Sequence, residues 1–419
     1  MTINRQKLGN ALWSAQAQMP SIEGRQMVID RGDGCYLMTV DGARLFDGSA
    51  GLWHTSIGHG RPEMAEAAAA QIAKLETYHV FGRFANDRAL ELTDRLAAMS
   101  PIMDPRIILN SGGSDAGDVA CKLARHYWQV MGKPEKRYII SRDNAYHGLH
   151  AFGTSVAGLA FNREGFGVSL IPETMRVSRE DIAEVERQIL SLGPENIAAF
   201  IAEPIIGAGG VYPPAPGYLQ GIQRLCAEHD ILFILDEVIT GFGRTGAMFA
   251  SDRYGLAPDM ITVAKGITSG YAPLGGVLVS HRVWEPYFSR GVDSPIFRHG
   301  VTYSGHATAA ALALTNLDII EREGLVARAG HLEGVLASAL TELATHRLVE
   351  EVRFEGFLGA IQFVPEVPAT EIADRLIEAG VILRLLSGNA LQASPPFIAT
   401  DEEIRLMIST VGSVLDDYR

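Results

Sequence analysis

The chain is predicted to be an α/β protein, with a large domain on a mainly parallel sheet and a smaller α+β domain. Three observations predict this. Strand-length apolar runs alternate with helix-length amphipathic stretches from about residue 106 to 280, as expected of strands joined by crossover helices. After about residue 305 that alternation gives way to two long helical stretches in succession. At 419 residues the chain also exceeds the size at which a single core usually splits.

In chain order, residues 1–60 read as an irregular N-terminal arm that packs with the small domain and carries a short hairpin. Val28-Ile29-Asp30 and Cys35-Tyr36-Leu37-Met38 flank the turn signal Arg31-Gly32-Asp33-Gly34, and Asp41-Gly42 marks a second turn. A helix is expected over 62–75, with Pro62 near its first turn, and another over 87–99. Strands are expected at 106–110, 137–141, 197–202, 231–236, 260–264 and 275–280, separated in places by helices at 114–131, 180–192 and 217–229. Residues 61–305 make up the expected large domain. The expected small domain, 306–419, holds helices at 306–323 and 326–345, strands at 349–355 and 358–363, a helix at 368–379 and a strand at 381–385.

The composition narrows the function. A net charge of −13 disfavours nucleic acid and anionic membranes as partners. Cys35, Cys121 and Cys226 are scattered, with no disulfide framework or zinc spacing, which suits a reducing cytoplasm. The N-terminal residues lack the unbroken apolar core of a signal peptide. No stretch reaches the roughly 18 apolar residues that a membrane span requires.

Ligands of open α/β sheets bind beyond the carboxyl ends of the strands, and the chemically suggestive residues fall there. Ser111-Gly112-Gly113-Ser114-Asp115 follows a strand and opens a helix. Backbone N–H groups at such a helix start, with a serine hydroxyl, can cup a phosphate. The same residues also suit an ordinary N-cap with Ser114 as cap. Gly207-Ala208-Gly209-Gly210 lacks dinucleotide-loop spacing and runs into Pro213-Pro214. Tyr146-His147 sits in a loop where an aromatic ring could stack on a flat cofactor, or simply pack. Asp236 ends one apolar run and Lys265 another. A metal at Asp236-Glu237 would need further ligands that the sequence does not assemble. An acid and a lysine at neighbouring strand ends suit pyridoxal phosphate (PLP), which needs a lysine for its Schiff base and an acid facing its pyridinium nitrogen.

The order of these features, with Lys265 following Asp236 by 29 residues (265 − 236), resembles the class III aminotransferases of PLP fold type I. The resemblance runs along nearly the whole chain. Its most specific stretch is Asp236-Glu237-Val238-Ile239-Thr240-Gly241-Phe242-Gly243-Arg244-Thr245-Gly246, then Pro258-Asp259 and Ala264-Lys265-Gly266. Ala202-Glu203-Pro204 and Thr302-Tyr303-Ser304-Gly305-His306 are similar as well.

The resemblance implies that Lys265 holds PLP and shuttles a proton, while Asp236 pairs with the ring nitrogen. It implies Gly113 and Ser114 at the phosphate, Tyr146 and Val238 on the two ring faces, and His147 and Glu203 behind them. It also implies a homodimer with shared sites, in which Thr302 reaches the neighbouring subunit's phosphate, with a tetramer as the alternative assembly. Within the family, Ile239 stands where ornithine- and 4-aminobutyrate-type enzymes usually carry Gln. Leu52-Trp53 and Arg384 resemble the substrate-wall Trp and carboxylate-binding Arg of the ω-amino acid:pyruvate transaminases.

Departures fall at Asp115 and Gly117, where Glu and Asn are usual, and in the segment 78–87, whose Phe81 and Arg83 are candidate substrate contacts. The function implied is amino transfer from an amine or ω-amino acid to a keto acid such as pyruvate, by a ping-pong mechanism in the cytoplasm. A diaminopelargonate-type transaminase is the nearest alternative. A class III decarboxylase, lyase, racemase or aminomutase comes next, and a non-catalytic binding protein last.

Overall fold

The structure, a computed structural model, describes residues 11–22, 24–167 and 170–418. The first ten residues of the expected arm lie outside the described residues. The rest of the arm forms β1 (Ile29–Asp33), β2 (Tyr36–Thr39) and β3 (Arg44–Asp47), an antiparallel meander. The expected 31–34 turn is shorter than its sequence signal. β1 continues through Asp33, and the chain reverses at Gly34-Cys35, where Gly34 has φ +56°.

Short helices at Met19–Ile22 and Ala50–Trp53 were not expected, but the two expected before the central sheet form in place. Pro62–Lys74 has Pro at its start, Glu63 in its first turn and Lys74 in its last, each placed as the helix dipole favours. Asp87–Met99 is capped by Asn86, whose side chain accepts from the Ala89 N–H. The amide of Asn86 also donates to the Gly305 carbonyl at 2.7 Å, tying this helix to the end of the 302–306 motif.

The central sheet has seven strands among the described residues: β4 (Arg106–Asn110), β5 (Tyr138–Arg142), β6 (Thr174–Val177), β7 (Ile197–Ala202), β8 (Leu232–Asp236), β9 (Met260–Val263) and β10 (Gly275–Val279). Their order is β4-β10-β9-β8-β7-β5-β6, and only β10 runs antiparallel to its neighbours. β7, β8 and β9 are buried at every position, as strands covered on both faces must be. Six of the seven strands therefore end at one edge, and 111–114, 146–148, Glu203, Asp236 and Lys265 all follow or close strands there.

β11 (Val349–Phe354) and β12 (Gly359–Phe363) match the expected C-terminal pair. The expected single strand at 381–385 is instead two strands in two sheets. β13 (Val381–Ile382) joins β3 in the N-terminal sheet, and β14 (Arg384–Leu386) joins β15 (Ala390–Ala393). Leu383, buried between them, marks the change of sheet. β6, β15 and a last helix, Asp401–Asp416, which opens with a Thr400/Glu403 capping box, are elements beyond those expected from the sequence.

β13 and the Tyr36 hydroxyl, which donates to Glu403 at 2.8 Å, bind the arm to the C-terminal segment. We propose residues 61–305 and 306–419 as the two domains, with the arm attached to the second. No helix among the described residues is long and apolar enough to cross a membrane.

Candidate active site

At the carboxyl edge of the central sheet lies a cavity of about 160 Å³. Gly113, Ser114, Tyr146, His147, Glu203, Asp236, Val238 and Lys265 line it. Gly148 and Ile239 complete the wall and were not singled out as contacts from the sequence. The Tyr-His-Gly string could have pointed to Gly148, since a loop that presses on a helix often needs a residue without Cβ.

Asp236 closes β8 and is held by three donors. Its Oδ1 accepts from Thr262 Oγ1 at 2.9 Å and the Val238 N–H at 3.1 Å, and its Oδ2 lies 2.8 Å from His147 Nδ1. His147 is fully enclosed, and its Nε2 has no partner among the described residues. Behind it, the buried Glu203 accepts from the Tyr146 N–H and the Gly207 N–H, each at 2.9 Å. Burial pushes the Glu203 carboxyl above its usual range, against an opposing pull from His147.

Lys265 follows β9 and starts a one-turn 3-10 helix with φ +45°. Its amine faces the cavity and has no hydrogen-bond partner among the described residues. Burial lowers its ammonium to about 8; Asp236 and Glu203 act in the opposite direction, and Arg384 adds to the lowering. Near pH 8 about half of such a group is free amine, a usable nucleophile and base.

Ser114 is not the cap of the helix that follows the 111–115 motif. The helix Gly113–Val130 begins one residue before Ser114, and its N-cap, Gly112, offers no side-chain cap. The first N–H groups of this helix therefore stay available for a ligand at the cavity. The Ser114 hydroxyl accepts from the Leu149 N–H at 3.1 Å, fixing the 146–149 loop against the helix. Glycines allow that approach. A Cβ on Gly117 would lie 2.6 Å from the His147 carbonyl, and one on Gly148 would lie 2.6 Å from Ser114 Cα. The departure at Gly117 thus has a packing reason.

The remaining candidates lie outside the cavity wall. Trp53 is only 2 % exposed and sits at φ +62°, a left-handed conformation unusual for a side chain of its size. Its ring lies 5.7 Å from Lys265 Nζ and 4.8 Å from the Arg384 guanidinium. Arg384 therefore stacks on Trp53 at the flank of the site, and burial pulls its guanidinium below the usual value. Phe81 and Thr302 are exposed, and so is Arg83, which lies 5.9 Å over the Phe84 ring. Tyr78, His79, Phe81 and Phe84 pack on one another at the surface.

These residues fit PLP. The half-buried lysine amine, without a hydrogen-bond partner among the described residues, the anchored Asp236 carboxylate and the uncapped helix start surround one small cavity. Gly113 completes the cradle, because a Cβ there would come within 3.0 Å of Val238 Cγ1.

Comparison with known proteins agrees. Residues 19–415 match the family described as Aminotransferase class-III. The putrescine–pyruvate aminotransferase of Pseudomonas aeruginosa is 35% identical over 93% of this chain and 90% of its own length. The omega-aminotransferase of Caulobacter vibrioides is 34% identical over 97% of both chains. The structure of an amine transaminase from an uncultivated Pseudomonas species, in its PLP-bound form, superposes with a TM-score of 0.92 at 36% identity, covering 97% of this chain and 98% of that one.

Proposed function

This chain belongs to the class III aminotransferases, and we propose that it moves the amino group of an amine or ω-amino acid to a keto acid, pyruvate foremost. It is a PLP-dependent transaminase with fold type I architecture. PLP supplies the electron sink for Cα–H cleavage and carries the amino group between the two half-reactions. The observation that carries this reading is the meeting of Lys265 and Asp236 in one cavity at the start of the Gly113–Val130 helix.

In this reading each residue has a distinct task. The Lys265 amine would anchor the cofactor and take the proton leaving substrate Cα, which its lowered pKa suits. Asp236, backed by His147, would pair with the ring nitrogen. The N–H groups of Gly113 and Ser114 would hold the phosphate, and Tyr146 and Val238 would pack against the ring. Arg384 pairs with the carboxylate of the keto acid and withdraws for a donor that lacks one. Among the described residues its resting contact is a ring and not a carboxylate, so no ion pair seen there has to break when it pairs with substrate.

Pyruvate as acceptor is supported by the relative named for putrescine and pyruvate. We further propose a homodimer in which Thr302, Phe81 and Arg83 of one subunit complete the site of the other. The exposed aromatic cluster at 78–84 and the exposed Tyr303 support such a covered surface. The cytoplasm suits the three buried free thiols.

The test is a substrate panel on the PLP-loaded protein. A diamine or monoamine should change the spectrum of the bound cofactor, and pyruvate should reverse the change while alanine accumulates. Carbon dioxide or phosphate release without any acceptor would instead identify a decarboxylase or lyase.

A further inference from the structure

Lys265 holds the left-handed φ of +45°, a conformation that residues with side chains rarely adopt and that persists only when the surroundings enforce it. Three backbone bonds close the turn that follows: the Ile267 N–H donates to the Ala264 carbonyl at 3.1 Å, the Thr268 N–H to the Lys265 carbonyl at 3.2 Å, and the Ser269 N–H more distantly to the Gly266 carbonyl at 3.4 Å. One side of the turn is fixed by close packing, since a Cβ on Gly266 would lie 3.1 Å from Phe242 Cβ.

On the other side one side chain adds shorter bonds to these. Asn316, on the helix Ala307–Arg322, is fully buried. Its Nδ2 donates to the Gly266 carbonyl at 2.8 Å and to the Ile267 carbonyl at 3.0 Å. Those carbonyls belong to the two residues that directly follow Lys265. Meanwhile Asn316 Oδ1 is buried with no partner among the described residues. A buried amide with an unmet acceptor is costly, and the buried face of this helix is otherwise mostly apolar. Its contribution therefore lies in what the amide donates to.

We infer that Asn316 is a positioning residue for Lys265, holding the 265–267 turn so that the lysine amine stands at the cavity wall. Asn316 itself touches neither cofactor nor substrate. The inference rests on the reading of Lys265 as the PLP anchor.

The full-length protein stripped of PLP provides the test. PLP is added back, the lysine adduct is trapped with borohydride at intervals, and the labelled peptide is identified by mass spectrometry. Asn316→Leu removes both donors at similar volume and should slow capture at Lys265 by about tenfold or more, the factor for one ordinary net hydrogen bond. If that variant does not fold, Asn316→Ala, which leaves space instead, should slow capture similarly. Leu314→Ala serves as control: it is a buried truncation on the opposite side of the same helix, and should lower thermal stability without slowing capture.

Unchanged capture in a folded Asn316 variant would overturn the inference, and so would equal slowing by Leu314→Ala. In both cases labelling of Lys265 in the unmutated protein would leave the anchor reading intact. Labelling of a different lysine there would overturn the anchor reading itself.

Discussion

Lys265 combines two unusual properties, a left-handed backbone and an amine lowered to about 8 by burial. Burial penalises the ammonium, so raising the pH through 8 frees the amine. In protein stripped of PLP, the reactivity of Lys265 toward an acylating reagent should rise with a midpoint near pH 8. Exposed lysines titrate near ~10.4. The sign for stability follows: the unfolded lysine keeps its proton to higher pH, so the penalty is full below 8 and fades as pH rises toward the unfolded value. The stripped protein should therefore gain stability across that window, in proportion to the lysine's share; a midpoint above 10 in the labelling experiment would remove the premise. Arg384 gives a second prediction. Arg384→Ala removes a charge-assisted bidentate donor and should weaken use of pyruvate and alanine by roughly 10- to 100-fold. A carboxylate-free amine should lose much less in its own half-reaction, and equal losses for both would count against the switching role. The Asp236–Lys265 pair was legible in the sequence because each closes an apolar run. Asn316 was not, because a single Asn in an Ala/Leu-rich helix carries no signal until the facing carbonyls are seen.

Among the elements, the helix Gly113–Val130 does the most to shape the site. Its uncapped start faces the cavity, and Gly117 lets it approach the 146–148 loop. Gly117→Ala puts a methyl 2.6 Å from the His147 carbonyl, and such overpacking typically costs about 1–3 kcal/mol. Because His147 backs Asp236, we expect weaker PLP binding, by about tenfold, along with a lower melting temperature; binding is read by equilibrium dialysis of the cofactor. PLP binding that stays unchanged while the melting temperature falls would separate this packing from the site. The helices and central strands were legible because their periodicity is strong and their ends carry Pro, Asn and Gly. The region after 380 was less so. Val381 to Leu386 reads as one apolar strand, but Leu383 passes the chain from the N-terminal sheet to the C-terminal one. A change of sheet leaves no mark on local hydrophobicity. β6 was missed for a related reason: Thr174–Val177 is short, half-buried at an edge, and carries Arg176.

For the whole molecule, the cavity leaves Thr302, Phe81 and Arg83 exposed outside its wall. If they complete a partner's site, as proposed, activity should fall on dilution below the dimer dissociation constant. A mixture of Thr302→Ala and Lys265→Ala subunits should regain activity only through hybrid dimers that contain one undamaged site; a fully active monomer in analytical ultracentrifugation would contradict this. The proposal of a shared site came from family resemblance alone, because nothing in the residues themselves says which copy of the chain they serve. Whether PLP is carried on Lys265 with Asp236 beside it is read by borohydride reduction of the PLP-loaded protein followed by peptide mapping. One pyridoxyl group per chain should appear, on Lys265, and none in the Lys265→Ala variant. A label on another lysine, or full transamination by Lys265→Ala without added amine, would contradict that role for Lys265.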